Sequence, residues 1–157
     1  MTTFTAARAA ANFPVAKPPG GAMGVAWGTI EVAANPVAND VYEMCRIPAG
    51  AVVVGGQIWS DDLDTNGTET LDMDVGWKAN GSEAADPDGF GNLGVQGTDT
   101  VAGIKPEAGY NYQFGGTLIT DGPRAFTRET VICVTCVATA ATFAAGTLSL
   151  RVDYYVP

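Results

Sequence analysis

The strongest constraint on the fold of this chain is an alternation of apolar and polar residues along short runs that end at turn residues. Leu71, Met73 and Val75 fall on one face of such a run, while acidic residues and a glycine fall on the other. Successive side chains of a strand point to opposite sides of a sheet, so each run indicates a strand with one buried and one wet face. The sequence therefore predicts an all-β fold, an antiparallel two-sheet β-sandwich of jelly-roll or Greek-key type.

The segments between the predicted strands carry the Gly, Pro, Asn and Asp residues that turns require. No segment after residue 23 has a convincing helical period. Among the loops, Asp86-Pro87-Asp88-Gly89 is expected to form a type I turn. About eight strands are expected, and they cover residues 25–32, 41–47, 51–59, 70–77, 95–104, 112–119, 128–138 and 147–156.

The N-terminal segment differs from the rest of the chain. Residues 1–23 are rich in alanine, then in proline and glycine, and they contain two basic residues and no acidic one. Prolines favour extended chain, so we predict an N-terminal arm at 1–23 and a sandwich domain at 24–157. The arm is either a disordered terminus or a segment that orders on the surface of a partner. In the second case its expected contact residues are Phe4, Arg8, Phe13 and Lys17.

Charge and composition argue against several classes of function. The 8 basic and 17 acidic residues give a formal net charge of −9, which repels the phosphate backbone of nucleic acids. Histidine is absent, which removes the commonest general base and the imidazole metal ligand. No apolar run approaches the roughly 18 residues that a membrane span needs. We therefore expect no catalytic residues, no cofactor, no metal, and neither nucleic acid nor membrane as a partner.

One acidic loop has the pattern of a calcium site. The segment Asp62-Leu63-Asp64-Thr65-Asn66-Gly67 matches the D-x-D-x-N-G opening of a calcium-binding loop, in which oxygen ligands alternate along the chain. The closing carboxylate that such a loop has at its twelfth position is replaced by Met73. We therefore favour a hairpin loop with solvated carboxylates over a calcium site.

The three cysteines are expected to be structural. Cys133 and Cys136 have the spacing of a redox or zinc motif, but they lie in a β-branched run that predicts a strand. Positions three apart on a strand face opposite sides of the sheet, so the two thiols should diverge. We expect them, like Cys45, to act as small buried apolar residues.

Aromatic residues are the other possible binding device. Trp59 and Trp77 flank the acidic loop from strands that are neighbours in sequence, so we expect them near each other, in the core or at a sugar-binding face. Packing in the core is the favoured role. The segment Tyr110-Asn111-Tyr112-Gln113-Phe114 places its aromatic residues on one strand face and is likewise expected to pack.

Residues 24–157 resemble a known class of viral proteins. The run that contains ANDVY, IPAGAVV, DDLD and LDMDVGW, followed by TFAAGTLSLRVDYYVP at the C-terminus, is similar to capsid decoration or cement proteins of tailed bacteriophages. The resemblance implies a protein that is made in the host cytoplasm and binds the outer surface of the assembled head, often as a homotrimer around a symmetry axis. The implied partners are the major capsid protein and further copies of the chain.

Two alternatives remain open from the sequence: a calcium-dependent carbohydrate-binding module, and another virion component of the tail or fibre. If the resemblance holds, the acid-free arm is expected to face the shell, because capsid exteriors are commonly acidic. The acidic segment 61–88 would then face solvent. Deleting residues 1–20 is expected to weaken attachment to capsids and to leave the melting temperature nearly unchanged.

Overall fold

Two five-stranded sheets make up the fold in the computed structural model, which describes residues 1–92, 109–113 and 115–157. The first sheet has the strand order β1-β3-β9-β5-β6, and the second has the order β2-β10-β4-β7 with β8 also paired to β4. The strands are β1 (Thr3–Thr5), β2 (Met23–Val32), β3 (Val41–Ile47), β4 (Val52–Asp61), β5 (Asp72–Trp77), β6 (Asp86–Gly91), β7 (Gly109–Gln113), β8 (Arg124–Ala125), β9 (Thr130–Ala138) and β10 (Gly146–Tyr155). The predicted two-sheet β-sandwich is confirmed.

Most predicted strands agree with the structure within two residues, and the exceptions lie in the second half. The predicted strand at 95–104 lies outside the described residues. The strand predicted at 112–119 is wrong beyond Gln113, because Thr117–Thr120 forms a helical turn, α1. The type I turn predicted at Asp86–Gly89 is also wrong, since these residues begin strand β6. A 3-10 turn lies at Ala7–Ala9, and no described helix is long and apolar enough to cross a membrane.

The core lies between the sheets and follows from the alternation in the sequence. In β10 every second residue is buried, and Leu148, Leu150 and Val152 point inward from the centre of the second sheet. Cys136 points into the same core, whereas Cys133 is buried outside it. The predicted divergence of the two thiols is confirmed, and all three cysteines are free.

The sheets come closest to each other where β2 passes β3. A Cβ atom added to Gly28 would lie 1.8 Å from the carbonyl oxygen of Met44, so only glycine permits this approach of the two backbones. The inward positions in the first half of β2 are accordingly small, because Gly24, Ala26 and Gly28 lie where the strands leave little volume, whereas Ile30 and Val32 further along pack in the core. Side-chain size in residues 23–28 is therefore the reverse of the usual pattern, with small residues inside.

The N-terminal segment folds onto the sandwich. Strand β1 pairs in parallel with β3, and the amide of Thr2 donates to the Asp40 carboxylate (2.7 Å). Ala6 and Ala9 are buried, and further along the segment the Tyr154 hydroxyl donates to the carbonyl of Ala16 (2.7 Å). Residues 1–22 are thus neither a detached terminus nor a projecting arm in this structure, because their backbone and small side chains complete the side of the sandwich where β2 and β3 meet.

Candidate interaction surface

The structure brings together two of the four predicted contact residues. The guanidinium of Arg8 lies over the Trp27 ring, with Cζ 3.7 Å from the ring centroid, and it also lies 5.0 Å from the centroid of Phe13. Cation–π contacts of this kind hold a charged group against an aromatic face. Lys17 is exposed in the segment that follows. Phe4 lies apart from them, stacked on Tyr42 with ring centroids 4.9 Å apart.

Strand β2 adds an exposed apolar row to this cluster. Met23, Val25 and Trp27 are exposed by 59%, 51% and 46%, and they point away from the core on an edge strand. Sequence reasoning predicted this strand but gave its outward side no role. The signal was present in the alternation of VAWG, where the small residues mark the inward side and leave the large apolar side chains facing outward. Contiguous exposed apolar side chains of this kind mark interaction sites.

A groove crosses the outer face of the second sheet between Trp27 of β2 and Trp59 of β4. Its volume is about 290 Å³, and its floor is formed by β10, which lies between the two strands. The hydroxyls of Thr29 and Ser149 are 3.0 Å apart in this floor. Arg151 lies 5.6 Å from the Trp59 ring centroid and is paired with Asp153, with Nε 3.1 Å from Oδ1. Trp27 therefore forms a ridge with Arg8 and Phe13 on one side and the groove on the other.

Acidic and basic residues are unevenly distributed along the chain, and the fold packs two segments without acidic residues side by side. Residues 1–30 contain Arg8 and Lys17 and no acidic residue, whereas the other six basic residues and all 17 acidic residues lie between 31 and 157. Because residues 8–18 pack beside β2, these two acid-free segments share one surface, which Asp153 borders opposite Val25. We call the surface made by Arg8, Phe13, Lys17, Met23, Val25 and Trp27 the acid-free patch.

The loop with the calcium-like pattern holds a buried carboxylate that is already engaged. Asp64 is fully buried, and its two oxygens accept hydrogen bonds from five backbone amides. Burial alone would raise the pKa of this carboxyl, but the amides lower it to about 2. With its lone pairs directed at amides, Asp64 joins two loops of the fold, and the solvated hairpin expected from the sequence is wrong for this residue. The donors are Asn66, Thr70, Leu71, Ala141 and Thr142.

The expected proximity of Trp59 and Trp77 is wrong. Strands β4 and β5 follow each other in sequence but lie in different sheets. Trp77 is buried in the core, 5.0 Å from Phe90 and 5.2 Å from Phe126 between ring centroids, while Trp59 lines the outer groove. Tyr112 packs in the core as expected. The side chain of Tyr110, and Phe114, lie outside the described residues.

The described residues offer little reactive chemistry. Burial raises the pKa of the Cys45 and Cys133 thiols to about 12, so neither is a ready nucleophile. Burial and a hydrogen bond with Asp88 raise the pKa of Asp86, and both carboxyls belong to the edge strand β6. Among residues 1–92, 109–113 and 115–157, no group of three or more metal-ligating side chains converges. The acid-free patch and the adjoining groove are therefore the strongest candidate site.

Three phage capsids are among the solved structures to which the chain is similar. A chain of the cyanophage Pam1 capsid asymmetric unit is 27% identical, with a TM-score of 0.63 over 94% of this chain and 96% of that one. A chain in the capsid of Ralstonia phage GP4 is 22% identical, with a TM-score of 0.76 over 99% of both chains. A chain in the acidic stable capsid of Helicobacter pylori bacteriophage KHP30 is 16% identical, with a TM-score of 0.58 over 88% and 91%. No protein-family model matches the sequence, and neither does any curated protein.

Proposed function

We propose that this chain is a structural protein of a tailed-phage virion, a decoration or cement protein that binds the outer surface of the assembled head. The observation that carries the proposal is the 27% identity to a chain of the Pam1 capsid, which extends over 94% of this sequence and 96% of that chain. A similarity of this length relates the complete folded unit rather than a local motif. The proposal assigns the chain no catalytic role and no cofactor.

The acid-free patch is the surface that we assign to the capsid. A decoration protein with 17 acidic residues needs a region that does not repel an acidic shell, and residues 1–30 provide it. The exposed apolar residues of β2 supply the area that is removed from water on binding, and Arg8 and Lys17 supply the charge complementarity. Arg8, Phe13 and Lys17 are thus proposed as capsid contacts within the patch, and Phe4, which lies apart from them on Tyr42, as a separate contact.

Stabilisation of the head follows from mass action. A protein that binds the assembled lattice and not the free subunits shifts the equilibrium towards the assembled state. A homotrimer placed on a symmetry axis would contact three capsid subunits at once, and this multivalency raises the overall affinity without new contacts in each protomer. We therefore propose the homotrimer as the binding form.

The direct test is co-sedimentation of the full-length protein with phage heads that lack it. We expect saturable binding, a higher rupture temperature of the decorated heads, and a trimer by light scattering. Absence of binding under dilute, low-salt conditions would contradict the proposal.

A matched pair of charge reversals localises the contact. Lys17→Glu and Arg128→Glu change the net charge equally at exposed positions, but only Lys17 belongs to the acid-free patch. We expect Lys17→Glu to weaken binding about fivefold or more at low salt, since like charges at an interface are unfavourable. Arg128→Glu should bind like the unmodified protein, and equal losses in both variants would mean that the patch does not face the shell.

A further inference from the structure

We propose that the groove between Trp27 and Trp59 receives a projecting segment of the capsid protein, which inserts an apolar side chain between the two indoles and sets a carboxylate against Arg8. This inference rests on the proposed function and names the partner's chemistry at one part of its contact surface. It extends the contact from the acid-free patch across β10 to β4, because Trp27 belongs to both the patch and the groove.

The size and lining of the groove favour a protein side chain over a small molecule. Its volume of about 290 Å³ lies at the lower limit of ligand pockets, which measure roughly 300–1,000 Å³. Two indole walls, with the short side chains of Thr29 and Ser149 and the Arg151 side chain between them, suit a single large apolar group, which packs against aromatic rings at little entropic cost to the walls. Ser149 is the direct cross-strand neighbour of Trp59 and contributes a short side chain to this space.

The groove is shaped by packing on the other side of the sheet. Gly28 cannot carry a side chain because of the Met44 carbonyl, and the inward residues of β10 are committed to the core. The outward residues of β2 and β10 are therefore free to vary in size without disturbing the sandwich. In this chain they include the bulky Trp27 and the short Ser149, which both line the groove.

The charge of Arg8 indicates which group of the partner should lie beside the inserted apolar side chain. Arg8 stacks on Trp27 and has no carboxylate partner among the residues that the structure describes, whereas Arg46 and Arg151 are paired with Glu129 and Asp153. A partially buried guanidinium without a counter-ion binds a carboxylate more favourably than a paired one. The partner segment should therefore be acidic beside its apolar side chain.

The occupant is the capsid protein rather than a second copy of the chain. A cyclic trimer joins two different patches of neighbouring protomers. If the groove and the acid-free patch were used for that contact, the surface left to face the shell would carry the exposed acidic side chains that the structure describes, none of which lines the groove or the patch, although Asp153 adjoins both. Leaving the groove for the capsid avoids that repulsion.

The test uses a substitution that fills the groove and a control that adds the same bulk elsewhere. Ser149→Phe places a ring between Trp27 and Trp59, while Val137→Phe adds a ring at an exposed strand position of the other sheet. Full-length variants are titrated onto heads that lack the protein, and their oligomeric state and urea unfolding are measured in parallel. We expect Ser149→Phe to weaken binding at least tenfold with trimer and stability unchanged, and Val137→Phe to bind normally.

Each other outcome is decisive. If Ser149→Phe decorates heads like the unmodified protein, the groove is empty in the complex and the inference is wrong, while the proposed function stands. If Ser149→Phe instead breaks the trimer, the groove is a contact between copies and the inference is again wrong. If Ser149→Phe fails to fold, Trp59→Ala removes one wall without adding bulk, and normal binding by that variant overturns the inference. If the unmodified protein does not bind heads, both proposals fail.

Discussion

Replacing Asp64 by asparagine should cost this protein much of its stability, although the two side chains have the same shape. Oδ2 of Asp64 accepts from the amides of Thr70 (2.7 Å), Leu71 (3.1 Å) and Ala141 (3.0 Å). Its other oxygen accepts from two further amides. An asparagine keeps one oxygen, and its NH₂ group would face donors that it cannot satisfy.

The magnitude follows from the number of donors that lose their acceptor. At least two buried or partly buried amides lose a charged acceptor, and a hydrogen bond to a charged group contributes about 1.5–3 kcal/mol. We therefore expect Asp64→Asn to lower the free energy of unfolding by about 3–5 kcal/mol. That is a large fraction of the roughly 5–15 kcal/mol by which domains are stable.

The same carboxylate predicts a pH dependence with a definite sign. Although burial opposes ionisation, the amides lower the pKa of Asp64 from its ordinary value of 3.8 to about 2. A pKa that is lower in the folded state stabilises the fold above the unfolded value, and this contribution is lost as the pH falls. It amounts to about 2 kcal/mol, fully present above about pH 5 and largely lost by about pH 2.

Urea unfolding followed by tryptophan fluorescence at pH 6 and at pH 2.5 tests both parts. The difference between the unmodified protein and Asp64→Asn should shrink by about 1–2 kcal/mol at the lower pH. Asp121→Asn makes the same chemical change at an exposed position and should have little effect at either pH. A loss below about 1 kcal/mol at pH 6 would refute the reasoning, as would a rise in the unfolding midpoint with millimolar calcium.

Three further outcomes follow from the packing. Gly28→Ala should destabilise the fold by about 3 kcal/mol or more, because its Cβ would meet a backbone oxygen. The control is Gly55→Ala, whose Cβ would meet nothing within 4 Å and which should change the free energy of unfolding by less than about 0.5 kcal/mol. Thermal unfolding of the two variants compares them. Removal of residues 1–13 should cost about 2 kcal/mol and lower the melting temperature by roughly 5 °C, contrary to the sequence-based expectation, because β1, Ala6 and Ala9 are part of the packed structure. All three thiols should resist iodoacetamide at pH 8 in the folded protein and react fully in urea, and mass spectrometry counts the adducts. The reason is that burial raises the pKa of Cys45 and Cys133 to about 12 and that of Cys136 to about 11.

The alternation in the sequence was sufficient to predict the strands whose inward residues are large and apolar. Strand β10 is the clearest case, because its inward side chains are apolar at every second position. Strand β6 could not be found in this way, since Asp86-Pro87-Asp88-Gly89 has the composition of a turn. It is a strand because Gly89 lies under the Trp77 ring, where a Cβ would be 2.2 Å from a ring carbon, and because Phe90 enters the core. Tertiary packing overrides local preference at such an edge.

The candidate site was predictable only in part, for a related reason. The absence of acidic residues from the N-terminal segment indicated a contact surface, and Arg8 and Phe13 do lie together. The position of Trp59 was not predictable from its neighbours in sequence, because consecutive strands can lie in different sheets. The D-x-D-x-N-G pattern also did not show whether its carboxylate binds a cation or accepts hydrogen bonds from backbone amides, since both arrangements need the same tight loop.

Because residues 1–22 both complete the sandwich and contribute to the acid-free patch, truncation cannot separate their two roles. Removal of β1 exposes the edge of β3, and an unpaired edge promotes association between chains, so a truncated protein could fail to bind heads for reasons unrelated to the patch. Substitutions of exposed side chains avoid this difficulty. Lys17→Glu leaves the buried alanines and the backbone pairing of β1 in place, and it changes only the charge that a partner meets. A loss of head binding by this variant, with the melting temperature unchanged, would assign the residue to the contact surface rather than to the fold.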